Sequence, residues 1–527
     1  MKLEYLIKTL GASINAVIYG GSDVEVAGIS NDSREIKNGY LFAARKGVNV
    51  DSNIYIEEAL SKGASAVLTD DAWFAKRVKD KNITVIYAKD ALKAYAVIAG
   101  NFFNNPGDKL KIIGVTGTNG KTTTTFLIKS ILEGMGNKTG LFGTIDYEIG
   151  SKITCSKNTT PDALELNRMF YESAEAGANF CVMEVSSHSL AQDRVYGVPY
   201  DVAVFTNLTR DHLDYHANME EYYSAKKKFF SELLLKSRKE EKFALINGDD
   251  PYGKRLTKEL REEFKGCAEI KLITYGLTGE SDISAKNINY RRDGLKFDVV
   301  LPGGKITGGI ASKLIGSYNV YNILAAVSAA YALSVPDNFI ASGINSLANV
   351  PGRVEKVGVK NVKTPLICVD YAHTDDALGR VLSALKDIGA GRLISVFGCG
   401  GDRDKGKRPL MGKRSTDIAD ISIITSDNPR SEEPLSIIDE IESGIKNAMF
   451  IDKSKFQNRR NKDGINGRVY TIVEDRADAI KLALSVASEN DTVLIAGKGH
   501  EDYMIIKNNR YRFSDKEEVL KYYENKL

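Results

Sequence analysis

One stretch of this 527-residue chain restricts its possible folds more than any other. The apolar run KIIGV is followed by the polar sequence TGTNGKTTTT at 116–125 and then by the apolar run FLIKSIL. A strand, a glycine-rich loop and a helix in that order direct backbone N–H groups and a helix N-terminus at one point, where they can hold phosphate groups. We therefore expect an α/β fold that has a phosphate-binding loop at its centre.

The rest of the chain divides around this loop. Two polar segments that contain proline, NNPGDKLK at 104–111 and ANVPGRVEK at 348–356, separate regions of regular pattern. The middle region alternates β-branched runs with longer amphipathic segments, which predicts a mostly parallel sheet with crossover helices, and residues 269–315 predict a small extra β-sheet. The last region repeats the pattern and predicts a Rossmann-like α/β domain. The three predicted α/β domains span residues 1–106, 107–350 and 351–527.

The composition excludes several classes of protein. Hydrophobic residues make up 43% and charged residues 27% of the chain, which is typical of a folded globular protein. The net charge of +3 is too small to predict a nucleic-acid-binding surface. The five cysteines are scattered, without a C-x-x-C pair, which fits a reducing compartment. Glu4 and Lys8 interrupt any signal peptide and no run of 18 apolar residues follows, so we expect a cytoplasmic protein without membrane insertion.

The loop at 116–125 has the side chains that ATP binding requires. Lys121 is placed to reach the β- and γ-phosphates, and the hydroxyl of Thr122 is placed to bind Mg²⁺. The spacing departs from the standard G-x-x-x-x-G-K-[ST] motif, because Val115 stands at the first glycine position and Gly114 comes one residue earlier. A glycine-rich turn that only caps a helix is the alternative. The predicted ATP-binding residues of the loop are Gly117, Thr118, Asn119, Gly120, Lys121, Thr122 and Thr123.

Two further side chains are candidate metal ligands. Glu184 ends the apolar run of NFCVMEV, and His212 follows the run in VFTNLTRDH. Because the carboxyl ends of parallel strands meet at one sheet edge, both side chains are expected near the phosphates. A carboxylate suits Mg²⁺, although an imidazole ligand is unusual for this ion. A buried structural glutamate and a structural histidine are the alternatives.

An ordered series of motifs covers almost the whole chain and resembles the Mur ligase family, in particular its members that add diaminopimelate. The motifs are NDSREIKNGYLFAARKG, GVTGTNGKTTTT, NTTPD, MEVSSHSLAQDR, FTNLTRDHLDYH, YYSAKKKFF, GSYNVYN, VPGRVE, VDYAHTDDAL, FGCGGDRDKGKRPLMG, SDNPRSEEP and AGKGHEDY. The resemblance implies an ATP-dependent amide ligase of peptidoglycan precursor synthesis. It would join meso-2,6-diaminopimelate to the D-glutamate of UDP-N-acetylmuramoyl-L-alanyl-D-glutamate through an acyl phosphate. The three domains would bind UDP-sugar, ATP and amino acid in that order, and a monomer is expected.

The resemblance also implies roles for residues outside the phosphate loop. Asn319, Arg353 and Asp370 would contact the base, phosphate and ribose of ATP. The residues that would bind the UDP-muramoyl dipeptide are Asn31, Ser33, Asn158, Thr159, Thr160, Ser186, Gln192 and Arg194. The residues that would bind diaminopimelate are Arg403, Asp427, Asn428, Pro429, Arg430, Gly497 and Glu501.

Lys226 has a role that only the resemblance implies. It matches the lysine that this family carbamylates to N6-carboxylysine, which would then be a carboxylate-like ligand of a second Mg²⁺. The full set of expected metal ligands is Thr122, Glu184, His212 and the carbamate of Lys226. Without the resemblance, Lys226 is one charge in the solvated run KKK. The combination predicts four catalytic residues: Lys121, Glu184, His212 and Lys226.

The presence of Arg430 leads to a prediction of which amino acid the enzyme would use as a substrate. Diaminopimelate differs from lysine by a second carboxylate, which Arg430 and Arg403 could bind through paired hydrogen bonds. The resemblance agrees, since DNPR accompanies diaminopimelate in the family. An ion pair of Arg430 with Glu432 or Glu433 at a helix start is the alternative.

One position departs from the family pattern: Asp375 stands where proline usually follows DYAHT, and this change is expected to loosen the loop after Asp370. Other functions also stay open. A lysine-adding or other Mur ligase and a folylpolyglutamate synthase share the ATP core. A P-loop ATPase that drives a partner would not need the loops NTTPD, DNPR and GKGHE. A binding module with a degenerate ATP site is disfavoured by the retained loop and metal-ligand residues.

Overall fold

The computed structural model describes residues 1–10, 14–47, 50–77, 83–359, 362–389, 391–456 and 467–524. Three α/β units follow one another along this part of the chain, each built on its own sheet, and the predicted fold class is confirmed. Each sheet lies within one of the three predicted domain ranges, whose boundaries stay predictions. In the described part of the chain, no helix is both long and apolar enough to cross a membrane.

The N-terminal unit is a five-stranded sheet covered by helices. Its strands are β1 (Val17–Tyr19), β2 (Gly28–Ser30), β3 (Tyr40–Ala43), β4 (Ala66–Thr69) and β5 (Thr84–Tyr87). Its helices are α1 (Leu3–Ile7), α2 (Ile56–Ser61), α3 (Ala72–Arg77) and α4 (Ala91–Phe102), with 3₁₀ turns at Ser33–Glu35 and Ser52–Tyr55. The strand order is β1-β5-β4-β3-β2, and β1 is antiparallel to β5.

The central unit contains the phosphate loop and eleven strands. The strands are β6 (Lys111–Thr116), β7 (Thr139–Phe142), β8 (Asp146–Ile149), β9 (Lys152–Cys155), β10 (Phe180–Glu184), β11 (Val202–Phe205), β12 (Lys242–Asn247), β13 (Ile270–Gly276), β14 (Ile283–Arg291), β15 (Gly294–Val300) and β16 (Ile306–Ser312). The α-helices are α5 (Lys121–Gly134), α6 (Ala163–Glu175), α7 (Ser187–Ala191), α8 (Met219–Lys228), α9 (Pro251–Glu263), α10 (Tyr318–Ala332) and α11 (Asp337–Ser346). A π-helix continues α8 over Phe229–Leu234, and 3₁₀ turns lie at Pro106–Lys109 and Pro302–Gly304.

Burial on both faces explains why the middle strands of this sheet are continuous apolar runs. The parallel strands follow the order β13-β12-β11-β6-β10-β7. Along β6, Ile113 and Val115 pack in one core cluster, while Ile112 packs in the cluster on the other face. The small extra sheet consists of β14, β15 and β16, which are antiparallel and join β13 only through the pairs Tyr275–Ile283 and Gly276–Ser284.

The C-terminal unit is a seven-stranded sheet with a hairpin. Its strands are β17 (Glu355–Lys356), β18 (Leu366–Asp370), β19 (Leu393–Phe397), β20 (Ile421–Ile424), β21 (Met449–Phe450), β22 (Val469–Ile472) and β23 (Thr492–Ala496), and the hairpin is β24 (Tyr503–Ile506) with β25 (Asn509–Arg512). Its helices are α12 (Asp375–Ile388), α13 (Lys407–Ile418), α14 (Pro434–Glu442), α15 (Lys453–Phe456), α16 (Arg476–Val486) and α17 (Asp515–Glu524). The strand order is β17-β18-β23-β19-β20-β22-β21, with only β17 antiparallel among the described strands.

A buried ion pair joins the two last helices of this unit. The Nε of Arg476 on α16 lies 2.7 Å from Oδ1 of Asp515 on α17, and both side chains are 0% exposed. Arg476 also donates hydrogen bonds to the carbonyl of Ser426, two residues after β20, and to the carbonyl of Ala496, the last residue of β23. The pair therefore ties together the bases of the DNPR and GKGHE loops.

Candidate active site

The phosphate loop between β6 and α5 requires its glycines. Gly117 and Gly120 have φ values of +148° and +88°, which residues other than glycine rarely adopt. A Cβ atom on Gly117 would lie 1.9 Å from Oγ1 of Thr206, and one on Gly120 would lie 2.3 Å from Oδ1 of Asn322. The loop can therefore pass close to its neighbours only with glycine at these two positions.

The next two side chains place a charge and a hydroxyl at the start of α5. Nζ of Lys121 donates to the carbonyls of Gly117 and Thr118, each at 2.9 Å, and burial lowers the pKa of Lys121. Oγ1 of Thr122 donates to Oε1 of Glu184 at 3.0 Å. Thr122 also accepts a hydrogen bond from Nη2 of Arg353 at 3.1 Å, so the C-terminal unit reaches the phosphate loop.

Glu184 ends β10 and is held in one orientation. Oε1 accepts from the backbone N–H of Thr144 at 2.8 Å, and Oε2 accepts from the Thr144 hydroxyl at 3.1 Å. A Cβ on Gly143 would lie 2.5 Å from Oε1, so glycine makes room for the carboxylate. Glu184 is 1% exposed and contacts Thr122. Their role as two oxygen ligands of one cation stays a prediction.

Lys226 differs from the neighbouring charged residues because its side chain is buried. Its side chain on α8 is 1% exposed, and Nζ donates to the carbonyl of Gly117 at 2.9 Å. Burial, reinforced by the charge of Lys121, holds the pKa of Lys226 well below its usual value. By contrast, Lys227 pairs with Glu259 at 2.7 Å on the outside of the helix. Lys226 is therefore not part of a solvated KKK run.

His212 lies in the loop after β11 in the left-handed region, with φ of +54°. Burial lowers its pKa to about 4, so the imidazole is neutral near pH 7 and can bind a cation. Its ring stands edge-on to the ring of His188 at 5.0 Å between centroids, and His188 in turn lies 5.9 Å from His216. The sequence marked these histidines as members of motif loops but assigned a role only to His212.

A cavity of 630 Å³ connects these groups. The predicted site residues that line it are Thr118, Asn119, Gly120, Lys121, Thr123, Asn158, Thr159, Thr160, Glu184, Ser186, Arg194, His212, Lys226, Asn319, Arg353 and Asp370. Two other lining atoms, Nε of Arg353 and the hydroxyl of Tyr318, are buried without a hydrogen-bond partner among the described residues. A polar, anionic nucleotide fits a cavity that offers a phosphate loop and unpaired donors of this kind.

The nucleotide side of the cavity is held by backbone contacts. Asp370 accepts from the N–H of Val354 and from the N–H of Ala372, both at 2.7 Å. Asp375 begins α12, and the Thr374 side chain caps this helix. An acidic residue in the first turn favours a helix. The expected loosening of the loop after Asp370 stays a prediction.

Five of the eight residues predicted for the muramoyl dipeptide line this cavity: Asn158, Thr159, Thr160, Ser186 and Arg194. Arg194 donates to the carbonyl of Thr160 at 3.2 Å and to the side-chain carbonyl of Gln192 at 2.9 Å and 2.6 Å. It also lines a third cavity of 260 Å³, where Arg45 and Lys46 are cationic residues that the sequence did not single out. Arg194 therefore faces both cavities.

Two predicted UDP-sugar contacts lie elsewhere in the N-terminal unit. Asn31 and Ser33 line none of the three described cavities. The hydroxyl of Ser33 donates to Glu58 at 3.1 Å. Their contact with substrate stays a prediction.

A second cavity of 330 Å³ opens beside the first. Its lining includes six of the seven residues predicted for diaminopimelate: Arg403, Asp427, Asn428, Arg430, Gly497 and Glu501. Pro429 lies outside the lining. Asp211, His212, Tyr371, His373 and Thr374 line both cavities, so the two spaces share one wall.

The backbone of Arg430 is held by the β24–β25 hairpin. Its N–H donates to Ile505 at 3.1 Å, its carbonyl accepts from Lys507 at 2.6 Å, and its φ is +52°. Nη1 donates to the carbonyl of Gly401 at 2.6 Å. Glu432, the suggested ion-pair partner of Arg430, binds Arg408 instead at 2.8 Å. The guanidinium of Arg430 is thus available to the cavity.

Comparison with known proteins assigns the whole chain to one family. Three family profiles match it: the Mur ligase family catalytic domain at residues 25–100, the Mur ligase middle domain at 115–330 and the Mur ligase glutamate ligase domain at 352–499. A UDP-N-acetylmuramoyl-L-alanyl-D-glutamate–2,6-diaminopimelate ligase of Clostridium tetani is 41% identical over 98% of both chains. One of Bacillus cereus is 42% identical over 98% of this chain and 97% of its own.

Solved structures agree with this assignment. The structure of a UDP-N-acetylmuramoyl-L-alanyl-D-glutamate–2,6-diaminopimelate ligase superposes with a TM-score of 0.66 at 33% identity and covers 95% of each chain. MurF ligase from Thermotoga maritima in complex with ADP has the same fold, with a TM-score of 0.58 at 20% identity over 94% of this chain and 97% of its own.

The phosphate loop at the carboxyl edge of a parallel sheet, faced by a second α/β unit with its own cavity, suits a nucleotide-dependent enzyme, and the matching profiles and relatives make it a ligase. Among such ligases, this chain belongs to the Mur ligase family.

Proposed function

We propose that this protein joins meso-2,6-diaminopimelate to the D-glutamate of UDP-N-acetylmuramoyl-L-alanyl-D-glutamate and forms ADP and phosphate from ATP. The relatives that match over nearly the whole chain have this activity in their names. The observation that carries the proposal is the shared wall of the two cavities, one with the phosphate loop and one with Arg430. The product is a peptidoglycan precursor. We propose that the enzyme acts in the cytoplasm, where ATP is available, and as a monomer, which is supported by the fact that residues of one chain line both cavities.

The chemistry follows from the need to activate a carboxylate. A carboxylate oxygen of the substrate glutamate attacks the γ-phosphorus of ATP, and ADP leaves. Lys121 and Arg353 both line the first cavity, and Arg353 contacts Thr122 of the phosphate loop, which supports a role for both cations in offsetting negative charge on the transferring phosphoryl group. The neutral amine of diaminopimelate then attacks the acyl carbon, the amine nitrogen loses a proton and phosphate leaves. The residues that line both cavities are in a position to limit the access of water to an acyl phosphate held between them.

The donor set at the phosphate loop fits Mg²⁺. Thr122 and Glu184 offer oxygen atoms 3.0 Å apart, and Mg²⁺ prefers oxygen ligands and the oxygens of bound phosphates. The described residues contain no group of three His, Cys, Asp or Glu that could hold a metal without such help. When bound, the cation would neutralise phosphate charge.

The second Mg²⁺ of the proposal depends on Lys226. Its burial lowers the pKa of the amine, and only a neutral amine can attack CO₂ to form the carbamate with loss of one proton. The resulting N6-carboxylysine would carry a negative charge and would offer two oxygens beside Lys121 and His212. This supports the carbamylation of Lys226, with His212 and Glu184 as the other protein ligands.

An amino-acid screen tests the proposed function. Purified protein is incubated with ATP, Mg²⁺ and the UDP-muramoyl dipeptide, with meso-diaminopimelate or lysine as the amine, and both phosphate release and product mass are measured. We expect the tripeptide mass with diaminopimelate only. Equal ligation of lysine would overturn the assignment of the second cavity, and phosphate release without any amide product would overturn the ligase assignment.

A further inference from the structure

Lys498 is a buried cation inside the second cavity's wall that none of the roles above uses. It lies between Gly497 and Gly499 in the loop after β23, and its side chain is 0% exposed. Its Nζ lies 3.2 Å from Oδ1 of Asn428 and 3.2 Å from Oε2 of Glu501. Oδ1 of Asp427 lies 3.9 Å away. All three partners are predicted to bind the amino acid.

These contacts set the orientation of the Asn428 amide and of the Glu501 carboxylate. Oδ1 of Asn428 accepts from Lys498 and from the N–H of Ile505 at 2.9 Å, so Nδ2 is the atom that faces Glu501. This Nδ2 donates to Oε2 of Glu501 at 3.0 Å. Both contacts use Oε2, and Tyr503 is a further hydrogen-bond partner of the carboxylate. Since a carboxylate has about four acceptor sites, Glu501 can still accept a hydrogen bond from a substrate ammonium.

The loop that carries Lys498 has little room to shift. Gly497 and Gly499 have φ values of +118° and +56°. A Cβ on Gly497 would lie 2.4 Å from Oδ2 of Asp427, and one on Gly499 would lie 2.7 Å from Cβ of Tyr371. The backbone is therefore packed against Asp427, a partner of Lys498, on one side and against Tyr371 on the other.

Lys498 also changes the net charge around the predicted amine site. Asp427 and Glu501 are 8% and 14% exposed, and buried charges are unfavourable unless they are paired. Arg476, the other buried cation nearby, is paired with Asp515. Lys498 thus offsets one of the two negative charges, and one remains for a single substrate ammonium.

We propose that Lys498 is a positioning residue for the amine substrate. It orients Asn428 and Glu501, and it leaves one negative charge at this end of the cavity to bind one ammonium group. The inference rests on the proposed function, because it takes the second cavity as the amine site. Lys498 need not touch the reacting atoms.

The test compares Lys498→Met, Glu501→Gln and the double variant with the wild type. Apparent KM values are measured for meso-diaminopimelate, ATP and the UDP-muramoyl dipeptide. In Lys498→Met we expect the KM for diaminopimelate to rise by about 10- to 100-fold, which is the range for the loss of hydrogen bonds to charged groups. The KM values for ATP and for the UDP-muramoyl dipeptide should change by no more than about twofold. Lys481→Met, a half-exposed lysine paired with Asp478 on α16, is the control and should change none of them.

The double variant separates positioning from general destabilisation. In the Glu501→Gln background Lys498 no longer acts through Glu501 and keeps only its contacts with Asn428 and Asp427, so its loss should raise the KM for diaminopimelate by less than the roughly 10- to 100-fold expected in the wild type. If the two single effects multiply, or if Lys498→Met leaves the KM unchanged, the inference is wrong. If Lys498→Met is insoluble, the comparison of the double variant with Glu501→Gln decides in the same way. A wild-type protein that ligates no amine would instead refute the proposed function.

Discussion

Replacement of Arg430 by alanine should remove most of the preference for diaminopimelate over lysine. The side chain reaches the second cavity from a backbone that the hairpin holds, and Nη1 donates only to the carbonyl of Gly401 in the described structure. A charge-assisted hydrogen bond contributes about 1.5–3 kcal/mol, which corresponds to roughly 10- to 150-fold in kcat/KM. Lysine lacks the second carboxylate, so its kcat/KM should stay within about threefold.

The assay measures initial rates of amide formation with each amine at saturating ATP and UDP-muramoyl dipeptide. Arg430→Lys keeps a charge but lacks the paired N–H groups of a guanidinium, and it should retain only part of the preference. Because φ at Arg430 is +52°, Arg430→Gly relieves the backbone and should show the same loss of preference as alanine. Arg512→Ala, which breaks an exposed pair with Glu517, is the control. An unchanged ratio of diaminopimelate to lysine in Arg430→Ala would refute the reasoning.

Three further substitutions test other parts of the structure. Lys226→Ala should nearly abolish product formation, and a short carboxylate in solution should partly restore it by replacing the carbamate; full activity without added carboxylate would exclude the carbamate. Lys121→Ala should abolish acyl-phosphate formation but leave binding of the UDP substrate within about twofold by calorimetry, whereas loss of both would indicate misfolding. Asp515→Ala leaves Arg476 as an unpaired buried charge. The free energy of unfolding, measured by urea denaturation, should therefore fall by about 3–5 kcal/mol. A fall of less than about 1 kcal/mol would contradict the stabilising role of this ion pair.

The sequence predicted the parts of the molecule that depend on local pattern. The apolar run of β6, the glycines of the loop and the start of α5 are adjacent in the chain, so their order alone predicts how they fold. Arg430 could also be assigned to a sheet edge because it follows the strand β20. These predictions need only the direction of a strand and the periodicity of a helix.

Contacts between distant segments could not be predicted from pattern. Nothing local distinguishes Lys226 from Lys227 and Lys228, and only the packing of α8 against the phosphate loop buries the first of the three. Arg45 and Lys46 reach a cavity beside Arg194 through the approach of the N-terminal unit to the central unit. Such contacts depend on tertiary arrangement, for which the sequence of one chain carries no periodic signal.

The contacts of Gly352 determine which unit Arg353 moves with. The N–H of Tyr371 donates to the carbonyl of Gly352 at 2.8 Å, and a Cβ on Gly352 would lie 2.2 Å from the backbone nitrogen of His500. The segment is thus interlocked with the C-terminal unit, although it lies within the predicted junction at 348–356. Any separation of the two units withdraws the guanidinium of Arg353 from Thr122. In any arrangement where the two units lie apart, the phosphate loop would therefore keep Lys121 but would lack the guanidinium of Arg353.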